Sequence, residues 1–150
     1  NTFPVVRAML KKATRLLLLI DSVRVEEGET NQDFFAMKVL SDLAEAHQQL
    51  AQVKKKRKKG DGCDAVHLAL VFTKADETES CFEDPQLYAK KHTPGLWQQC
   101  QDRFPHHRFF ASGVAGACTV RVGLGGIRQR VPLRIEPRGT MAPFRWLIEQ

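Results

Sequence analysis

One uninterrupted apolar run, Leu16-Leu-Leu-Leu-Ile20, narrows the folds open to this chain more than any other feature. Arg15 and Asp21 bound the run, so the segment has the length of a single strand. Successive side chains of a strand point to opposite faces of the sheet, and here both faces are apolar. Strands of that kind lie inside parallel sheets that helices cover on both sides. The run therefore predicts an α/β fold, with Asp21 at the carboxyl end of the strand, where such sheets bind ligands.

The segments that follow predict a helix and a second buried strand. Thr30 and Asn31 are suitable N-cap residues for a helix that we expect to extend to about Val53. Its candidate core positions follow the 3.6-residue period: Phe35, Val39, Leu40, Leu43, His47 and Leu50. Residues Ala65 to Phe72 then predict the second strand. Strand, helix and strand in this order predict a right-handed parallel unit.

The last third of the chain predicts one more parallel strand and then a different pattern. Arg108 to Ala111 is the third apolar run. Cys118 to Val122 and Gln129 to Ile135 flank a glycine-rich turn and predict a β-hairpin insertion, and Met141 to Gln150 predicts a final helix. We therefore predict a single domain over residues 1–150 with a three-layer α/β fold, in which helices flank a mostly parallel sheet.

The positive charge of the chain is concentrated in one run. The formal net charge is +6, and the run Lys54-Lys-Lys-Arg-Lys-Lys59 accounts for all of it. We expect this run to be a solvated, mobile connector, with docking to phosphate-rich partners as the alternative. The run lacks the interleaved aromatic residues that stack on bases, so nucleic acid is not an expected partner.

The sequence does not predict a membrane span. No segment approaches the roughly 20 consecutive apolar residues that a spanning helix needs. The first residues also lack the charged and then apolar pattern of a secretory leader. We therefore expect a cytoplasmic protein.

The clearest functional motif stands at the end of the second predicted strand, where Thr73, Lys74 and Asp76 follow Val71-Phe72. It resembles the base-recognition motif of the P-loop GTPases of the TRAFAC class, which reads Asn or Thr, Lys, any residue, Asp. The resemblance implies that Asp76 accepts hydrogen bonds from guanine N1–H and the exocyclic amine, whereas adenine would leave that carboxylate unpaired. Lys74 would lay its aliphatic stem along the base, and Thr73 would brace the loop. A solvated turn that closes the strand is the alternative interpretation.

A second match follows the third strand, where Ser112 and Gly113 resemble the Ser-Ala-(Lys) loop of the same family. In that family the serine braces the loop, and the next backbone N–H reaches guanine O6. Gly113 stands in place of alanine, an exchange that the resemblance treats as neutral because backbone makes the contact, and Val114 stands in place of a frequent lysine. Adjacent parallel strands end in one crevice, so we expect the two loops to be neighbours, with Asp21 and Ser22 nearby.

The tail of the chain resembles one branch of that family. Val131 to Gly139, followed by Pro143 to Leu147, is similar to the ending of bacterial double-GTPase proteins.

The phosphate-binding loop of the family, G-x-x-x-x-G-K-[ST], is absent from this sequence, as is its Asp-x-x-Gly switch. Phosphates and Mg²⁺ therefore have no cradle in these residues. The resemblance then implies that the chain is the carboxyl-terminal half of a G domain, which supplies specificity for GTP and GDP. Mg²⁺ binding and catalysis would belong to the remaining half of the G domain, so we expect neither catalytic residues nor metal ligands here.

Three functions stay open at this point. The chain is either part of a GTP-hydrolysing switch that a protein regulator controls, or a degenerate G domain that serves as a non-catalytic interaction scaffold. A basic nucleic-acid-binding module is the third alternative, and it rests on the lysine run alone.

Overall fold

The computed structural model describes residues 4–28, 30–55, 66–116 and 118–150. In chain order its elements are α1 (Pro4–Leu10), β1 (Arg15–Asp21), α2 (Ser22–Glu26), α3 (Thr30–Lys55), β2 (His67–Thr73), a 3₁₀ turn (Ala75–Glu77), α4 (Glu79–Glu83), α5 (Pro85–His92), α6 (Pro94–Arg103), β3 (His107–Ala111), β4 (Gly113–Ala115), β5 (Cys118–Val122), β6 (Arg128–Pro132), β7 (Ile135–Arg138) and α7 (Ala142–Glu149).

The three predicted strands form one parallel sheet in the order β1-β2-β3. Leu18 of β1 is level with Leu70 of β2, which in turn is level with Phe109 of β3. The sheet confirms the predicted α/β class and the parallel direction of all three strands. Because the strands are parallel and in close register, Asp21, Thr73 and Ala111 end them at the same edge of the sheet.

Helices pack on both faces of this sheet, because its side chains alternate between them. Leu68, Leu70 and Phe72 of β2 point to one face, where they join a core built mainly with α3, α5 and α6. Ala69 and Val71 point to the other face and pack with Phe110 of β3 and Leu147 of α7. The central strand β2 is thus covered on both sides, as the apolar run predicted.

The first strand is less covered than its composition predicted. Leu19 is 61% exposed, and Leu16 and Leu18 are only partly buried. Among the residues that the structure describes, β1 pairs only with β2 and forms one edge of the sheet. An apolar run therefore does not distinguish a central strand from an edge strand, because that difference depends on a neighbour elsewhere in the chain.

The long helix α3 starts at the predicted Thr30 and continues two residues beyond Val53, to Lys55. Leu40 and Leu43 are fully buried, but Phe35 is exposed, so the predicted core position at Phe35 is wrong. The rest of the basic run, Lys56 to Lys59, lies outside the described residues, and with it the expectation of a mobile connector. None of the described helices combines the length and apolar character that a bilayer crossing requires.

The predicted hairpin is present, with β5 antiparallel to β6. Its second arm differs from the prediction, because the segment from Gln129 to Ile135 is divided. Strand β6 ends at Pro132, and Ile135 begins β7, which pairs antiparallel with β4. The chain therefore returns from the hairpin to the segment that directly follows β3.

Candidate functional site

The structure brings the two predicted loops together at the carboxyl ends of β2 and β3. The backbone N–H of Ser112 donates to the carbonyl oxygen of Phe72 at 2.8 Å, and the N–H of Ala75 donates to the carbonyl oxygen of Ser112 at 3.1 Å. These bonds extend the β2–β3 pairing past the last residues of both strands. The loop Thr73–Asp76 and the loop Ser112–Val114 therefore form one continuous surface, which we call the base-recognition loops after the role predicted from the sequence.

Asp76 reaches from the first of these loops to the second. Its Oδ1 accepts a hydrogen bond from the backbone N–H of Val114 at 3.3 Å. The side chain is half-buried, and Oδ2 has no hydrogen bond to another described residue. The structure thus places the Asp76 carboxylate within hydrogen-bond distance of a backbone donor of the second loop.

Gly113 makes this approach of Asp76 sterically allowed. A Cβ atom on Gly113 would overlap Oδ1 of Asp76 and would lie 2.9 Å from its backbone nitrogen and 3.0 Å from its Cβ. An alanine here would therefore displace the Asp76 carboxylate or shift one of the loops. The sequence-based expectation that glycine and alanine are equivalent at this position is wrong for this loop arrangement.

Gly113→Ala is expected to destabilise the protein by about 1–3 kcal/mol, the usual cost of forcing a methyl group into occupied space. Urea denaturation measures this change. The matched control is Gly123→Ala, because a Cβ at Gly123 would meet nothing closer than the carbonyl oxygen of Ile127 at 3.7 Å. Equal stabilities of the two variants would show that Asp76 does not pack against Gly113.

Lys74 adopts a left-handed conformation, with φ 56° and ψ 27°, and no other non-glycine residue with positive φ occurs in the described part of the chain. A side chain in this region costs free energy, so such conformations are retained where surrounding contacts hold them. Nζ of Lys74 lies 2.7 Å from Oδ2 of Asp21, at the end of β1. The hydrogen bond from Lys74 and the charge of Asp21 raise the pKa of Lys74. The ammonium group is therefore anchored on the neighbouring strand end.

Asp21 also caps α2. Its Oδ1 accepts hydrogen bonds from the backbone N–H groups of Val23 and Arg24 at 3.1 and 3.4 Å. Burial by itself would raise the pKa of Asp21, but the hydrogen bond from Lys74 and those from the helix amides outweigh it, and the net pKa is lowered. Asp21 is consequently ionised at neutral pH and holds both the helix start and the Lys74 side chain.

Thr73 and Ser22 connect the ends of β1 and β2 through their hydroxyl groups. Oγ1 of Thr73 donates to the carbonyl oxygen of Ile20 at 3.2 Å, and Oγ of Ser22 donates to the carbonyl oxygen of Thr73 at 2.8 Å. Ser22 is fully buried, lies 2.9 Å from Oγ1 of Thr78, and accepts at its carbonyl from the Tyr88 hydroxyl at 3.3 Å. Because burial raises the pKa of Tyr88, this hydroxyl stays protonated and can donate. These hydrogen bonds therefore hold Thr73 in place at the end of β2.

Sequence reasoning placed Asp21 and Ser22 near the crevice but assigned them no role. The signal that points to them is their position directly after an apolar strand adjacent to β2. The role expected for the hydroxyl of Ser112 has no counterpart here: among described residues its side chain has no hydrogen-bond partner, and its backbone joins the loops instead. No three His, Cys, Asp or Glu side chains of the described residues group as a metal site requires.

Comparisons of the chain with protein-family models, with curated proteins and with solved structures give no match.

Proposed function

We propose that this chain recognises the guanine base of GTP and GDP as the carboxyl-terminal, base-recognition part of a G domain. The observation that carries the proposal is the pairing of Asp76 with the backbone of Gly113 and Val114 at the ends of two adjacent parallel strands. In open α/β sheets the crevice at the carboxyl ends of the strands is the usual place for a ligand.

Guanine presents two donors, N1–H and the exocyclic amine, beside one acceptor, O6. The Asp76 carboxylate would accept from both donors, and a backbone N–H of the loop Gly113–Val114 would donate to O6. The hydrogen bond from Val114 to Asp76 is long, at 3.3 Å, so a shorter bond to the base would replace it at small cost. Adenine has no donor at N1 and would leave the carboxylate without a partner.

Lys74 would cover one face of the base with its aliphatic stem. Its ammonium group lies 2.7 Å from Oδ2 of Asp21, so the far end of the side chain is fixed at the end of β1. The side chain is 56% exposed and therefore accessible to a ligand. Thr73, Lys74, Asp76, Ser112 and Gly113 thus form the proposed guanine site.

Phosphate binding, Mg²⁺ binding and hydrolysis would reside in a segment outside these residues. Support for an additional partner of this sheet comes from β1, whose outer edge pairs with no other described strand and whose Leu19 is largely exposed. An edge strand with unpaired backbone groups is a template for another strand. We propose that the phosphate-binding half of the G domain packs on this side.

The alternative function, a non-catalytic interaction scaffold, also has an observation in its favour. Asp76 has a partner in Val114, and Lys74 has a partner in Asp21, without any ligand. In that case the base-recognition loops would be a self-contained connection between strand ends, and nucleotides would not bind.

Titration with GDP and with ADP, followed by backbone amide NMR, tests the proposal. We expect GDP to shift the amide signals of residues 73–77 and 112–115, with an affinity in the millimolar range because the phosphates have no cradle here, and ADP to leave them unchanged. Equal shifts with ADP, or no shift at about 10 mM GDP, would favour the scaffold. GTP turnover by this chain alone should not be measurable, because the groups that stabilise the transferring phosphoryl are absent.

A further inference from the structure

The hairpin of β5 and β6, residues 118–132, stands apart from the core of the protein. No residue of the hairpin is buried, and the side chain of Leu124 at its turn is fully exposed. Val122 and Ile127, on either side of the turn, are each 64% exposed. An isolated two-stranded hairpin is marginally stable in water, so a surface that covers its apolar end would stabilise it.

The turn holds Leu124 at the apex of the hairpin. The N–H of Gly126 donates to the carbonyl oxygen of Gly123 at 3.1 Å, and the N–H of Gly123 donates to the carbonyl oxygen of Ile127 at 2.9 Å. Gly125 and Gly126 have φ of 91° and 76°, which glycine adopts without strain. Leu124 is therefore the foremost side chain of a defined turn.

Arginine supplies every positive charge in the segment that contains the hairpin. Residues 113–140 contain five arginines, no lysine and one acidic residue, Glu136. Nη2 of Arg134 lies 2.8 Å from Oε1 of Glu136, and Cζ of Arg138 lies 4.4 Å from the centroid of the Phe82 ring. The other three, Arg121, Arg128 and Arg130, are exposed and form no ion pair with any residue that the structure describes. These three arginines form a basic collar behind the apolar turn.

The register of β5 with β6 places aliphatic residues and arginines on both faces of the hairpin. Val120 is level with Arg130, and Val122 with Arg128, so these four side chains share one face. Arg121 is level with Gln129 on the opposite face, which Ile127 joins because it bonds to Gly123. Aliphatic and arginine side chains therefore surround the end of the hairpin rather than line one side.

We infer that this hairpin docks on an anionic membrane surface, with Leu124 and Ile127 entering the headgroup region and the basic collar binding lipid phosphates and carboxylates. A bilayer interface surrounds an inserted tip on all sides, whereas a flat protein partner covers one face. Arginine forms bidentate bonds with phosphate and carboxylate, and its long stem lets the charge stay in the interface. The absence of aromatic residues from 113–140 disfavours single-stranded nucleic acid, which binds by base stacking.

Flotation of the protein with lipid vesicles tests the inference. We expect binding to phosphatidylcholine vesicles with about 30% phosphatidylserine, weak or no binding to pure phosphatidylcholine, and loss of binding at high salt. Arg128→Gln with Arg130→Gln should lower the partition coefficient about 25-fold, because each basic residue near an anionic surface contributes about fivefold. Leu124→Ser should lower it several-fold by removing the inserted apolar group.

Matched controls separate the hairpin from other exposed groups. Arg103→Gln with Arg145→Gln removes two exposed arginines on α6 and α7, and Leu133→Ser removes an exposed leucine next to the hairpin. Both controls should bind vesicles like the parent, and near-ultraviolet circular dichroism checks that every variant is folded. Parent-like binding by the hairpin variants would overturn the inference. The inference would also fail if vesicle binding were lost only when Lys54–Lys59 are replaced by serine. Loss of poly(U) RNA binding, with unchanged vesicle binding, in the arginine variant would likewise contradict it.

Discussion

At the proposed guanine site, Asp76→Asn is expected to change the nucleotide preference from guanine to xanthine. An asparagine side chain offers one acceptor and one donor, which conflicts with the two donors of guanine but matches xanthine, whose C2 carbonyl replaces the amine. The lost charge-assisted hydrogen bonds are worth about 1.5–3 kcal/mol each, so affinity for GTP should fall at least about tenfold while affinity for xanthosine triphosphate rises. Competition titration with the two triphosphates, in a protein that also carries the proposed phosphate-binding half, measures the change.

Asp76→Asn changes the groups that would face the base and keeps the contact with Val114. Asparagine keeps an acceptor oxygen for the N–H of Val114, so the connection between the base-recognition loops survives. Asp84→Asn is the matched control: Asp84 caps α5 by accepting from the N–H groups of Gln86 and Leu87, and asparagine caps a helix equally well. The control should leave both affinities unchanged. If the Asp76 variant bound GTP as tightly as the parent, residues 73–76 would be only a turn and the guanine proposal would fall.

Phe72→Ala is expected to have the largest effect on stability. Phe72 is fully buried in the central strand. The centroid of its ring lies 5.0 Å from the ring centroid of Tyr88 and 6.1 Å from that of Phe109. Its truncation removes apolar contacts and leaves a cavity, at a cost of about 3–5 kcal/mol. Domains of this size are stable by about 5–15 kcal/mol, so the midpoint of urea denaturation should fall steeply. Phe72 also precedes the base-recognition loops, so any guanine binding should weaken with the fold.

The matched control for this variant is Phe34→Ala on α3. Phe34 is 70% exposed, so the same truncation there should change the free energy of unfolding by less than about 0.5 kcal/mol. A small loss for Phe72→Ala, similar to that of the control, would mean that the side chain of Phe72 is not enclosed by α5 and β3.

Much of the fold follows from local patterns that the sequence carries by itself. The apolar runs before Asp21, before Thr73 and before Ser112 predicted three parallel strands, and all three are present with ends shifted by at most two residues. The same runs predicted that the two motif loops are neighbours, because adjacent parallel strands end at one edge. Residue alternation, strand length and turn glycines are properties of neighbouring residues, so no tertiary knowledge was needed to use them.

Other features depended on residues far apart in the chain. The exposure of Leu19 is decided by which distant segment packs on its face of β1, because strand side chains point to the faces of the sheet and not to its edge. The ion pair of Lys74 with Asp21 joins the ends of β2 and β1. Asp76 can approach the loop that follows β3 only because Gly113 in that loop has no side chain. The division of the hairpin arm followed from the pairing of β7 with β4. Local sequence determined where the three parallel strands and the loops after them form, whereas the tertiary structure decided which loop side chains meet, because such contacts require elements brought together by packing.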